Sequence, residues 1–160
     1  MEIKIKKIDQ RDKSWVKEFL KTSWGSSFVL TRGKLHYYDK LDGFIAEVGG
    51  KNKGLVTYKV KGSSLEIVSL DSLLENKGIG AGLISRVIEF AKKVKLKRVW
   101  LITNNDNIDA IKFYQKRGFR VIKVYPGAVD ISRKVKPSIP QVGNYGIPIR
   151  DEIEFEMKLK

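Results

Sequence analysis

Gly78, Gly80 and Gly82 stand at alternate positions in ENKGIGAGLI, residues 75–84, directly before a run with helical apolar spacing. Glycine weakens a helix by roughly 1 kcal/mol relative to alanine, so three of them at a helix start need a reason. A helix N-terminus carries unpaired N–H groups and a partial positive charge. Residues without a Cβ let a ligand come close to that backbone. The combination makes an anion site, most naturally for phosphate. Two familiar phosphate motifs fail on spacing. No Lys-Ser or Lys-Thr follows as a P-loop requires, and Leu83 stands where a dinucleotide fingerprint has its third glycine. The alternative reading is structural: a glycine-rich turn that lets the following helix lie close on a sheet.

The elements that would position this turn follow from periodicity. EIKIKKI (2–8) alternates as a strand does, and residues 12–24 bring Trp15, Val16, Phe19 and Leu20 to one helical face. Residues 25–42 have no clear period. Residues 43–70 read as three strands joined by tight turns at GGKNKG and KGSS, hence consecutive and antiparallel. Leu83, Val87, Ala91 and Val94, widened by Ile84 and Ile88, make a helix of 79–95. KRVWLIT (97–103) is a buried strand, NNDN (104–107) a turn and helix cap, and 108–118 a second helix closed by Gly118. Strands follow at 119–125 and 151–159. Between them Pro126, Pro137, Pro140 and Pro148 mark residues 126–150 as a long loop. Hairpins followed by β-α-β-α-β predict a mixed sheet with helices packed on it. The crossover through 79–95 is expected to be right-handed and to set its two strands parallel.

Composition narrows the class. The 160 residues fit one domain, 42% hydrophobic and 31% charged, with no run near the roughly 20 apolar residues of a membrane span. The opening MEIKIKKIDQ lacks a signal peptide's continuous apolar core, and a cytoplasmic location is expected. The absence of cysteine excludes disulfides, thiolate metal sites and cysteine nucleophiles, and a single histidine, His36, cannot build the usual metal site. His36 is expected to have an incidental surface or packing role. A net charge of +14 attracts polyanions, whether nucleic acid, phosphorylated cofactors or acidic proteins.

Residues 65–119 carry three separated features in order: a strand and short connection leading to G-x-G at a helix start (Gly78, Gly80), an apolar strand ending in T-N-N-x-N, and N-x-x-A-x-x-F-Y-x-K-x-G-F. The last comprises Asn107, Ala110, Phe113, Tyr114, Lys116, Gly118 and Phe119. This span resembles the acetyl-CoA-binding core of the GCN5-related N-acetyltransferases, the GNAT family. The resemblance implies one α/β domain over 1–160, with its core at 43–125. It also implies a mixed, mostly antiparallel sheet of about seven strands flanked by helices on both faces. By that similarity the amides of Asn76, Lys77, Gly78, Ile79, Gly80 and Ala81 would hold the pyrophosphate of coenzyme A. Val68, Ser69 and Leu70 would run beside the pantetheine arm, with the Leu70 amide aimed at the thioester carbonyl. Glu75 stands where the family usually carries Gln or Arg, with Lys77 beside it to offset the charge.

The resemblance makes Tyr114 the acid that protonates the departing thiolate, as a phenol of pKa about 10 facing a thiol near 8.5 can do. Asn107 would reach the cofactor while capping its helix. Glu66, on the strand beside the cofactor arm, is the candidate base, with Glu47, Asp71 and Glu152 as further carboxylates near the cleft mouth. Acceptor specificity is expected from 22–38 and 126–148. There Trp24, Tyr37 and Tyr145 would form walls, and Arg32, Arg133 and Lys136 would meet an anionic group. The leading reading is an acetyl-CoA-dependent N-acetyltransferase of a primary amine. A basic nucleic-acid-binding module and a non-catalytic coenzyme A sensor are the alternatives. An exposed edge strand would allow a homodimer.

Overall fold

The computed structural model describes residues 1–25 and 28–160; at Asp39 it describes the backbone alone. Ser26 and Ser27, inside the expected acceptor stretch, lie outside the described residues. The chain runs through β1 (Ile3–Lys7), α1 (Lys13–Trp24), β2 (Phe28–Thr31), β3 (Lys34–Tyr37), β4 (Asp42–Val48), β5 (Lys51–Lys61) and β6 (Ser64–Ser72). It continues with α2 (Ile79–Lys93), β7 (Arg98–Asn104), α3 (Ile108–Lys116), β8 (Arg120–Tyr125), α4 (Ala128–Val135) and β9 (Glu152–Lys158). Seven strands form one sheet in the order β1-β4-β5-β6-β7-β9-β8, and β2 and β3 pair separately as a hairpin. Among the described residues, β6 and β7 are the one parallel pair, across the α2 crossover; β9 returns to lie between β7 and β8.

Alternation along the strands sorts the core into two layers. Val56, Tyr58, Leu65, Ile67, Val99, Leu101 and Phe155 face α2 and α3, where Ile79, Leu83, Ile84, Val87, Ala91 and Tyr114 meet them. Ile45, Leu55 and Val68 face the other way, onto Val16 and Leu20 of α1 and Val29 of the hairpin.

Two segments differ from the sequence reading. Residues 25–42 hold the β2–β3 hairpin. Its strands of four residues are too short to show a period, and its turn places Arg32 at φ 50°, a conformation usually left to glycine. The expected loop of 126–150 contains α4, which sits between Pro126 and Pro137 and buries Ala128, Val129 and Ser132 on one face. Proline density at its flanks masked that helix.

Candidate active site

The start of α2 is an open backbone cradle. Gly78 is its N-cap at φ 80°, with no side chain capping it, and Asn76 also takes a left-handed φ of 57°. Residues 75–78 are exposed. Space is open where a Cβ on Gly78 would sit, so a side chain there would stand in the cradle as well as strain the turn. Gly80 and Gly82 answer to packing: Gly80 lies against Phe113 of α3, and Gly82 against Ile5 of β1. The turn therefore combines an open backbone with close packing, divided between different glycines. The first-turn N–H groups of Ile79, Gly80 and Ala81 face outward from the helix start without an internal acceptor.

Beside this cradle the sheet opens. The β6–β7 ladder stops at Ile67↔Leu101, yet β6 runs on to Ser72 and β7 to Asn104. The divergence begins at a β-bulge: Tyr58 pairs Ile67 and Thr57 pairs Ser69, leaving Val68 as the extra residue. The Ser69 hydroxyl is fixed to Thr57 at 2.5 Å, and Leu70 packs toward α2. Val68, Ser69 and Leu70 thus form the strand edge along the opening.

Tyr114 of α3 is 6% exposed, its ring edge-on to Phe113 and Phe119 and tilted against Phe155 of β9. Burial pushes its phenol well above the usual range, the Asp71 carboxylate at the end of β6 adds to this, and Arg117 opposes it. The phenol is a protonated donor throughout the neutral range. Asn107 caps α3, its side chain accepting from the Ala110 N–H at 3.3 Å.

The opposite face is polar where it meets the opening. Glu66 is buried, and its Oε2 accepts from the Thr31 hydroxyl at 2.7 Å. With that proton committed, Thr31 accepts from His36 Nε2 at 2.7 Å, which leaves the buried Nδ1 bare and unpartnered. His36 is thus 4% exposed within a buried polar chain rather than on the surface, and burial, with Lys59 and Lys34, pushes its imidazole down to about 4. Burial raises the Glu66 carboxyl, against the Thr31 hydrogen bond. Among the described residues, no group of three metal-ligating side chains occurs.

Next to these residues lies a cavity of about 250 Å³. Its walls come from the end of α1 (Trp24), from β2 (Val29, Leu30), from α4 with the following segment (Val129, Ser132, Lys136), and from Asn104 and Glu152. Asn104 and Glu152 pair across β7 and β9, directly at the mouth of the opening. A larger cleft of about 450 Å³ lies along β1 and the β4–β5 turn, at the far edge of the sheet.

The residues expected at the acceptor site divide. Trp24 lines the cavity and donates its indole N–H to Asp71 Oδ2 at 3.2 Å. Arg32 stacks on Tyr125 at 3.4 Å and reaches toward Glu152. Lys136 also lines the cavity, its ammonium held by the carbonyls of Trp24 and Phe28. Arg133 instead ties the carbonyls of Ile139, Pro140 and Ile149 together. Tyr37, edge-on to Phe28, and Tyr145, bonded to Asp109, are exposed and stand outside the cavity walls. The turn after β7 does more than cap a helix: Asn105 binds Pro148, Arg150 and Asp151, and Asp106 binds Asn144, stapling the proline-bearing segment to the sheet. The cluster of Asn and Asp in NNDN was the available signal.

Comparison with known proteins agrees with this geometry. Residues 9–119 match the model of the Acetyltransferase (GNAT) family. YdhI, an uncharacterized protein of Bacillus subtilis strain 168, is 45% identical over 144 residues, 89% of this chain and 90% of its own length. A GNAT family acetyltransferase of Elizabethkingia anophelis, solved with acetyl-CoA bound, superposes with a TM-score of 0.69 at 21% identity, over 98% of both chains. An acetyltransferase of Bacillus subtilis in complex with CoA gives a TM-score of 0.69 at 20% identity, over 99% of this chain and 98% of that one.

Proposed function

The chain belongs to the GNAT acetyltransferase family, and on that premise we propose that it transfers an acetyl group from acetyl-CoA to a primary amine by direct attack. One observation carries the reading: the uncapped, exposed start of α2 adjoins a sheet that opens between β6 and β7, with a buried phenol in electrostatic reach of the end of β6. The amides of Asn76 through Ala81 hold the pyrophosphate, with Gly78 supplying the turn and the clearance. The edge Val68–Leu70 receives the pantetheine arm, and the Leu70 amide stabilises the oxyanion. Asn107 keeps its cap and turns its remaining amide donors to the cofactor.

The amine nitrogen attacks the thioester carbonyl carbon; the N–C bond forms and the C–S bond breaks. Tyr114 gives its proton to the departing thiolate; burial keeps the phenol protonated at neutral pH while making it a weaker acid, so its role starts as a hydrogen bond to the sulfur as charge develops there. The nitrogen's surplus proton passes to a carboxylate or water on the opposite face. Glu66 lies on that face, but its Oε2 is engaged by Thr31, so its first role in this reading is to anchor the hairpin.

A thermal-shift titration with acetyl-CoA, followed by thiol release over amine acceptors, tests the proposal. At 100 times its dissociation constant the ligand should add about 2.7 kcal/mol of stability. No shift at millimolar acetyl-CoA overturns the reading.

A further inference from the structure

Glu152, at the start of β9, is 3% exposed and lines the 250 Å³ cavity. Its Oε2 accepts the Arg32 backbone N–H at 3.3 Å. Its Oε1 has no hydrogen bond, the Arg32 guanidinium standing 3.9 Å away and stacked on Tyr125. A buried carboxylate oxygen without a donor is destabilising unless a partner arrives. Burial raises this carboxyl, and the Arg32 N–H hydrogen bond and then the Arg32 charge oppose that only in part, without satisfying the oxygen.

The remaining walls say what kind of partner fits. Trp24, Val29, Leu30, Val129 and Ile149 make the apolar share of the lining, Ser23, Ser132 and Ser138 add hydroxyls, and Lys136 contributes a cation. A second positive centre on the ligand would meet Lys136 and a protein of net charge +14. The volume falls below the roughly 300–1,000 Å³ of pockets that take drug-sized ligands.

We propose that Glu152 docks the acceptor's ammonium group, and that the acceptor is a small molecule with one ammonium on an apolar body rather than a polyamine or a peptide N-terminus. This rests on the acetyltransfer reading above and completes its proton balance. Glu152 Oε1 first takes a proton from the docked ammonium and becomes a carboxylic acid, which frees the nitrogen lone pair. As the N–C bond then forms and the C–S bond breaks, the second nitrogen proton passes to water, and Tyr114, having protonated the thiolate, is reprotonated from water. Asn104, paired with Glu152 at the end of β7, sets this beside the opening.

The test compares wild type, Glu152→Gln and Glu152→Asp. Acetyl-CoA affinity and melting temperature are measured first, then thiol release with 2-phenylethylamine, n-hexylamine, spermidine and an alanine tripeptide. Glu152→Gln should keep acetyl-CoA affinity within about twofold and lose about 100-fold in kcat/KM for the monoamines, and Glu152→Asp should recover part of that loss. Unchanged monoamine turnover in Glu152→Gln overturns the proposal, as does a wild type that uses only spermidine or the tripeptide. If wild type turns over none of the four, calorimetric titration of 2-phenylethylamine into the coenzyme A complex decides. Binding that weakens at least tenfold in Glu152→Gln supports the assignment, and no binding, or equal binding, overturns it. Failure of wild type to bind acetyl-CoA sinks the acetyltransfer reading instead, and is seen before any amine is added.

Discussion

The two faces of the sheet handle polarity in opposite ways. The face under α2 and α3 buries aliphatic and aromatic side chains, and the donors proposed to hold the cofactor there are backbone amides at a helix start. The face under α1, the hairpin and α4 buries Glu66, His36 and Glu152 along with Thr31, Thr57, Ser69 and Ser132. Backbone amides recognise a phosphate without any buried charge, so that half can be packed as an ordinary core. Recognition of a particular amine needs side-chain charge held away from water, and that half carries the desolvation cost.

Three experiments press on this contrast, the largest effect first. Tyr114→Phe removes the side-chain proton donor proposed for the departing thiolate. Turnover should fall about 10²–10⁴-fold with acetyl-CoA affinity kept. Steady-state kinetics beside a binding titration read both, and a variant with full turnover would leave Tyr114 a packing residue.

The second experiment separates glycines within one turn. Gly78→Val places a branched side chain at a left-handed position, which costs roughly 1–2 kcal/mol, and fills the open cradle; acetyl-CoA should bind at least about tenfold more weakly. Gly82→Val crowds Ile5 instead and should lower stability by about 1–3 kcal/mol, with the affinity of the folded protein unchanged. Equal effects on binding would erase the division of labour between the two positions.

The smallest effect is read in pH. His36 titrates near 6.5 unfolded and about 4 folded, so between these values the unfolded chain binds more protons and stability rises with pH. The contribution is complete above about 6.5 and lost as pH falls through about 4, up to about 3 kcal/mol. Glu66 and Glu152, raised by burial, act in the opposite sense: the folded state holds their protons longer, and their contribution fades as pH rises. Urea unfolding of wild type and His36→Asn at pH 4.5 and 7 isolates the histidine. The wild type should lose more stability on acidification than the variant, and parallel losses would remove His36 from the polar chain.

The same contrast explains what the sequence made legible. The strands of 43–70, helices α2 and α3 and strand β7 each carry a period or a cap of their own, and together they frame the glycine turn. The hairpin does not, because four-residue strands leave no period and Arg32 occupies its left-handed turn position. Helix α4 is hidden by prolines that only flank it. The burial of His36 and Glu152 depends on which segments fold over them, and no local spacing encodes that. Glu66 was visible as a strand carboxylate, but its bond to Thr31 comes from a hairpin more than thirty residues upstream.

Asn104 through Asn107 join the two halves within four consecutive residues. Asn105 and Asp106 grip the segment that roofs the cavity, and the next residue, Asn107, fixes the first turn of the helix carrying Tyr114. One short turn therefore anchors both the cavity wall and the helix of the phenol, so a substitution at Asn105 or Asp106 should disturb the two together.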